Sequence, residues 1–201
     1  SKFAEPVAKF YVANVANAIT HLHAESIIYR NVAPDNLCVT SDGYVQLMDM
    51  ACAVKVYTGD KPRDYCGAAH YLSPEQVSGQ GHGQSVDYWA LGILMHEMLL
   101  GQNPWLTGDD AKDSEVGIYN RITAHTANAI AYTELTPEAE AFLNGLLMPA
   151  ADERLGTRGV GAEEVRASRW MAGLDWNALT NKALEPPHVS ATKSVKVHPS
   201  R

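Results

Sequence analysis

The stretch 87–100, DYWALGILMHEMLL, constrains this 201-residue chain more than any other. It is long enough for about four helical turns, and as a helix it has almost no polar face. A helix that is apolar on nearly every side cannot lie at a surface, so the rest of the chain has to wrap around it. Residues 5–23 can do so, because Phe10, Val12, Val15, Ile19 and Leu22 recur near the helical period with alanines between them. Amphipathic helices are expected at 114–124 and 136–147, the second opened by Thr136, Pro137 and Glu138 in capping order. Shorter ones are expected at 162–167 and from Pro74, with Ser73 as its cap.

Strand signals are few. Residues 37–39 and 45–48 read as two short strands joined by a turn at Ser41, Asp42 and Gly43. That hairpin would set Asn36 just before its first strand and Asp49 just after its second. Ile27, Ile28 and Tyr29 form a short apolar run expected to bury beside the first helix. Residues 51–69 show little periodicity around Gly59, Asp60, Lys61 and Pro62, so an irregular loop is expected there, with another at 79–83. The expected fold is therefore mainly α with one small β-hairpin. A hydrophobic content of 46% supports a single domain with a sizeable core.

Composition narrows the partners. A formal charge of −7 with no basic stripe argues against nucleic acid. No apolar run reaches the ~20 residues of a bilayer span, and no signal-peptide pattern occurs, so no membrane partner is expected. Cys38, Cys52 and Cys66 form no close pair and no zinc spacing in sequence. They read as separate small hydrophobes in a reducing, intracellular setting. His21 and His23, flanking Leu22, read as ordinary packing residues.

Residues 29–36, YRNVAPDN, resemble the catalytic loop H/Y-R-D-x-K-P-E-N of eukaryotic protein kinases. Five further segments follow in the family's order. Asp49, Met50 and Ala51 stand where the family has Asp-Phe-Gly, and 66–75, CGAAHYLSPE, is similar to C-G-T-P-E-Y-L-A-P-E. Then come 87–92, DYWALG, and Arg154-Leu155-Gly156. Residues 170–176, WMAGLDW, resemble the segment that ends the catalytic domain in the cAMP- and cGMP-dependent Ser/Thr kinases and their AGC-group relatives. The resemblance implies a kinase-like C-terminal lobe over 1–185 and an extended or mobile tail over 186–201. Neither G-x-G-x-x-G nor a V-A-I-K-like segment occurs, so the small N-terminal β lobe is expected to be absent from this chain.

In that family the loop aspartate accepts the substrate hydroxyl proton, while the loop asparagine and the Asp-Phe-Gly aspartate hold the Mg²⁺ that bridges ATP phosphates. Here the base position is Asn31 and the loop-lysine position is Ala33. An amide lacks a carboxylate's charge and basicity, and general-base assistance is worth ~10²–10⁴-fold. Asn36 and Asp49 remain at the metal-ligand positions as a vestigial Mg²⁺ site, with Cys38 implied beside the nucleotide. Ala68 and Ala69 replace the Thr-Pro of the substrate platform, and His70 replaces its glutamate. Met50 can fill the phenylalanine's slot, whereas Ala51 is less free to switch than glycine. Arg30 corresponds to the arginine that binds an activation-loop phosphothreonine, whose position is Asp64 here; a permanently ordered loop is expected. Glu75 and Arg154 are implied to form a buried ion pair, and Asp87 to brace the catalytic loop. Glu134 is the one glutamate considered for reading peptide arginines.

Base, loop cation, bracing hydroxyl and platform all differ together. The expected function is a catalytically inactive, pseudokinase-like lobe that binds or scaffolds protein partners within an assembly. A homo-oligomer or a large complex would cover the apolar face that the β lobe normally meets. The alternative is a fragment of an ATP-dependent Ser/Thr kinase of the cAMP/cGMP-dependent type with residual phosphotransfer or ATP binding. No bound cofactor is expected, and Mg-ATP only if an N-terminal lobe is present in the full protein. The expected location is cytoplasmic or cytoskeleton-associated.

Overall fold

The computed structural model describes residues 2–57, 59–127, 129–130 and 132–188. Its helices are α1 Glu5–Ala24, α2 Pro74–Val77, α3 Ser85–Leu100, α4 Glu115–Ala124, α5 Pro137–Leu146, α6 Ala162–Arg166 and α7 Trp176–Thr180. Its strands are β1 Ile27–Ile28, β2 Leu37–Val39, β3 Val45–Leu47 and β4 Val54–Lys55. Single 3₁₀ turns lie at Pro34–Asn36 and Ala69–Tyr71. The mainly helical architecture with small β elements is the one expected.

The apolar stretch forms α3, buried from Ser85 through His96 and again at Leu99. Helix α1 packs on one flank and α5 on another. Close approach to α5 depends on Gly92, where an added Cβ would meet Leu146 and Leu147 at 2.9 Å. The start of α1 is fastened to the start of α5 by Glu5. Its carboxylate accepts from Thr136 N and Thr136 Oγ1, both at 2.8 Å. Burial alone would raise that carboxyl, but the Thr136 and Trp170 bonds overcome it and hold the group below its usual range.

Hairpin β2–β3 is antiparallel, with Leu37 opposite Leu47, Cys38 opposite Gln46 and Val39 opposite Val45. Thr40 N donates to Tyr44 O at 2.8 Å to close the turn. The end of the described chain returns to it, since Leu184 N donates to Tyr44 Oη at 3.1 Å and Tyr44 Oη donates to Leu184 O at 2.9 Å. The tail expected at 186–201 lies, beyond His188, outside the described residues.

Three expectations are corrected here. Residues 51–69 are not irregular throughout, because β4 pairs antiparallel with β1, Ile28 against Val54 and Ile27 against Lys55. A two-residue strand is too short to carry a periodic signal. Helix α7 was not anticipated; it is a five-residue helix capped by Asp175, whose carboxylate accepts from Ala178 N at 2.9 Å. Cys52 and Cys66 are not separate: they form a disulfide with Cα atoms 5.6 Å apart, and Cys38 alone is free. With a sequence separation of 14, such a link removes about 3 kcal/mol of denatured-chain entropy.

The far side of α3 is held by an ion pair. Arg154 is 0% exposed and meets Glu75 in a fork, Nη1 to Oε1 at 2.7 Å and Nη2 to Oε2 at 3.0 Å. Its remaining donors go to the carbonyls of Met148, Pro149 and Ser85, and its guanidinium lies 5.1 Å from the Trp89 ring centroid. Burial pushes the Glu75 carboxyl up, yet the bonds and charge of Arg154 outweigh it and the group stays below its ordinary value. Removing one partner strands the other charge. Glu75→Ala is therefore expected to lower unfolding free energy by ~3–5 kcal/mol in a urea titration; a loss under ~1 kcal/mol would mean the pair does not hold this face.

Candidate active site

Asp87, in the first turn of α3, organises the site. It is 0% exposed. Its Oδ2 accepts from Tyr29 N at 2.9 Å and its Oδ1 from Arg30 N at 2.6 Å. His23 Nε2 donates to Oδ2 at 2.8 Å, which identifies the tautomer, since the carboxylate oxygen can only accept there. His23 is thus part of the brace rather than a mere packing residue. The signal that could have found it is its place at the end of α1, one short turn before the loop.

The brace holds an unusual backbone. Arg30 sits at φ 64, a left-handed conformation that costs a non-glycine residue roughly 1–2 kcal/mol. Buried to 8% exposure, its side chain is stretched between two anchors. Nε donates to Cys52 O at 2.7 Å and Nη1 to Asp64 Oδ1 at 2.8 Å. The Arg30 hydrogen bond, ahead of its charge, holds the Asp64 carboxyl below its usual value. Gly67, at φ 104, presses on the other side: an added Cβ would lie 2.7 Å from Arg30 O and 3.5 Å from Asn31 Oδ1.

Asn31 therefore lies between the braced loop and the irregular segment leading into Gly67. Asn36 Nδ2 donates to the Asn31 main-chain carbonyl at 3.1 Å, which turns Asn36 Oδ1 outward. Met48 N donates to Asn36 O at 2.8 Å, extending the hairpin pairing by one step. Asp49 follows at once, exposed and at φ 27, with Oδ1 accepting from Ala51 N at 2.9 Å and Oδ2 left over. Asn36 and Asp49 thus flank the open end of the hairpin, one just before β2 and the other two residues after β3. Beside them, burial and then the charges of Asp49 and Asp87 push the Tyr29 phenol up to about 12. Tyr29 Oη donates to Met48 O at 2.7 Å and fixes the approach to Asp49.

Ala33 is buried under the loop at the start of the 3₁₀ turn. Cys38 is exposed on β2. Met50 is exposed as well. Glu134 is bonded at the surface to Lys2 Nζ at 2.6 Å. A different acidic group, Glu97, was missed by sequence reading. Tyr71 Oη donates to Glu97 Oε2 at 2.7 Å, and Asn103 Nδ2 donates to Glu97 Oε1 at 2.7 Å. Burial first, then Glu97, then the charge of Asp35 push the Tyr71 phenol far up. One acid near the end of an otherwise apolar helix was the available signal.

Sequence comparison decides what this arrangement descends from. The family profile described as "Protein kinase domain" matches residues 1–171. The chain belongs to the protein kinase domain family. Its mainly helical fold with two small sheets is that of the family's C-terminal lobe. It is 36% identical over 184 residues to "Protein kinase 2" of Dictyostelium discoideum, covering 92% of this chain and 36% of that protein. It is 38% identical over 188 residues to the "cAMP-dependent protein kinase catalytic subunit" of Arthrobotrys oligospora, covering 94% and 35%. To the "cGMP-dependent protein kinase egl-4" of Caenorhabditis elegans it is 36% identical over 186 residues, covering 92% and 23%. The chain spans about a third of the length of the first of these relatives.

The Arg30–Asp64 pair carries a pH signature. Asp64 has a depressed carboxyl in the folded state, so its contribution is full above the unfolded value, near 3.8, and is lost as pH falls through the lower folded value. Melting temperatures of wild type and Asp64→Asn should differ at pH 7 and converge below about pH 4. Two parallel curves from pH 7 to pH 3 would show that the pair contributes nothing.

Proposed function

We propose that the chain is the large-lobe part of an ATP-dependent Ser/Thr protein kinase of the cAMP/cGMP-dependent type, with residual phosphoryl transfer. The observation that carries this reading is the loop 29–36 clamped by Asp87, with Asn36 at one end of a hairpin whose other end runs through Met48 into Asp49. The relatives' names support it, since they are names of kinases; the scaffolding expectation draws no such support.

The two free oxygens, Asn36 Oδ1 and one oxygen of Asp49, fit a hard cation that keeps most of its waters. When bound, Mg-ATP would supply the transferring phosphoryl group and the cation that neutralises its developing charge. Binding requires the small lobe of a complete kinase domain. Asn31 faces the reacting hydroxyl and orients it by hydrogen bonding without taking its proton. Ala33 offers no cation, so charge stabilisation at the phosphoryl falls to the metal alone. Asp35 and Glu97, near Tyr71, place two carboxylates where a basic side chain of a substrate peptide would be held. An intracellular location fits the absence, among the described residues, of any helix able to cross a membrane, together with the acidic composition; it is part of this proposal.

The test uses the complete protein that carries this chain, with Mg-ATP and a basic Ser/Thr peptide. Wild type should transfer phosphate slowly, Asp49→Ala should abolish transfer, and Asn31→Asp should raise kcat by ~10²–10⁴-fold. No transfer by either wild type or Asn31→Asp, together with no Mg-ATP thermal shift, would overturn the reading.

A further inference from the structure

The loop between Cys52 and Cys66 is fastened at both ends to one residue. Cys52 O accepts from Arg30 Nε at 2.7 Å. Cys66 precedes Gly67, which packs against Arg30 O. Near the loop's end, Asp64 takes Arg30 Nη1 at 2.8 Å. Between these points the chain has few holds. Tyr57, Asp60, Lys61, Arg63, Asp64 and Tyr65 are all exposed. Beyond the β1–β4 pairing and Val56 N to Ser26 O at 2.9 Å, Pro62 O accepts from His82 N at 3.0 Å and Tyr65 Oη donates to Val77 O at 3.3 Å. The Arg30–Asp64 pair, buried on the arginine side only, is weak by itself, because the Asp64 side chain is 62% exposed and water screens it. The disulfide is the one covalent hold on this loop among the described residues.

We propose that Cys52 and Cys66 are a thiol–disulfide exchange site that takes low-molecular-weight disulfides, and that its oxidised form clamps the loop 53–65 with Asp64 on Arg30. Cys66 is half-buried whereas Cys52 is 7% exposed, so the incoming disulfide meets Cys66 first. The Cys66 thiolate attacks one sulfur of the small disulfide; that S–S bond breaks and one small thiol leaves. The Cys52 thiolate then attacks the Cys66 sulfur of the mixed disulfide and expels the second small thiol. Two electrons pass from the cysteine pair to the small disulfide, and both cysteine protons end on the two thiols released. The reverse sequence, run by a small thiol in excess, opens the clamp. A disulfide in a reducing compartment is typically of this transient, regulatory kind. The proposal does not depend on phosphoryl transfer.

Equilibration of the complete protein in glutathione buffers from fully reduced to fully oxidised, followed by alkylation and peptide mapping, reads the site directly. Cys38, Cys52 and Cys66 should all be alkylated at the reducing end, and of these three Cys38 alone at the oxidising end. Trypsin cleavage after Arg63, scored after quenching and full reduction, should be about tenfold faster in the reduced protein, since cleavage tracks the open population. Cys52→Ser should stop at one glutathione on Cys66, and Cys38→Ser should behave as wild type. Three free thiols in every buffer, a disulfide formed only between molecules through Cys38, or equal cleavage in both redox states would each overturn the proposal. The wild-type arms decide the matter if a variant fails to fold.

Discussion

A single buried carboxylate holds the catalytic loop in place. Asp87 lies in the first turn of a helix that is otherwise apolar through its length, and it satisfies two main-chain N–H groups and one imidazole. The position suits a negative charge, since the first turn of a helix presents unpaired N–H groups and the positive end of the dipole. The N–H groups it accepts belong to Tyr29 and Arg30, the residues that turn the chain into a left-handed conformation at φ 64. Without that acceptor the turn would leave two buried donors unpaired as well as a strained backbone, and each such donor costs ~1–3 kcal/mol. The placement of Arg30, Asn31 and Asn36 follows from this one contact, and through Arg30 so does the placement of Asp64.

The loop is then locked from outside by elements distant in sequence. Gly67 closes over Arg30 O, and α2, which follows it, is tied by Glu75 to Arg154 near the far helices. The hairpin β2–β3 brings the opposite wall, with Met48 N on Asn36 O. Two independent clamps, one ionic and buried, one a β-ladder, therefore bear on the same eight-residue segment. The disulfide adds a third, on a loop that has the fewest other holds. Its two ends converge on Arg30 because Arg30 alone reaches from the core to both Cys52 O and Asp64.

Much of this was legible in the sequence, for physical reasons that can be named. Helix α3 announced itself because a run of fourteen residues with hardly a polar side chain can only be buried. The hairpin was legible because alternation and a Ser-Asp-Gly turn are local signals. The Cys52–Cys66 contact was not, because the two stand 14 positions apart across a loop and only the tertiary return of the chain onto Arg30 brings their Cα atoms to 5.6 Å. The β1–β4 pair failed for the same reason: two-residue strands have no period of their own. His23 and Glu97 escaped because each does its work across space, on Asp87 and on Tyr71.

Architecture and chemistry are separable in this site because the architecture rests on main-chain atoms. The bonds that shape the loop run to Tyr29 N, Arg30 N, Asn31 O, Asn36 O and Cys52 O. None of them uses the Asn31 side chain. Asparagine and aspartate have the same heavy-atom shape, so the loop can adopt one geometry with either residue. What changes between them is charge and basicity at one side-chain atom. A carboxylate there would stand near Arg30, which already shares its charge with Asp64, and would meet no new steric demand from Gly67. The loop as folded is therefore a holder whose chemical power is set by the one functional group placed in it.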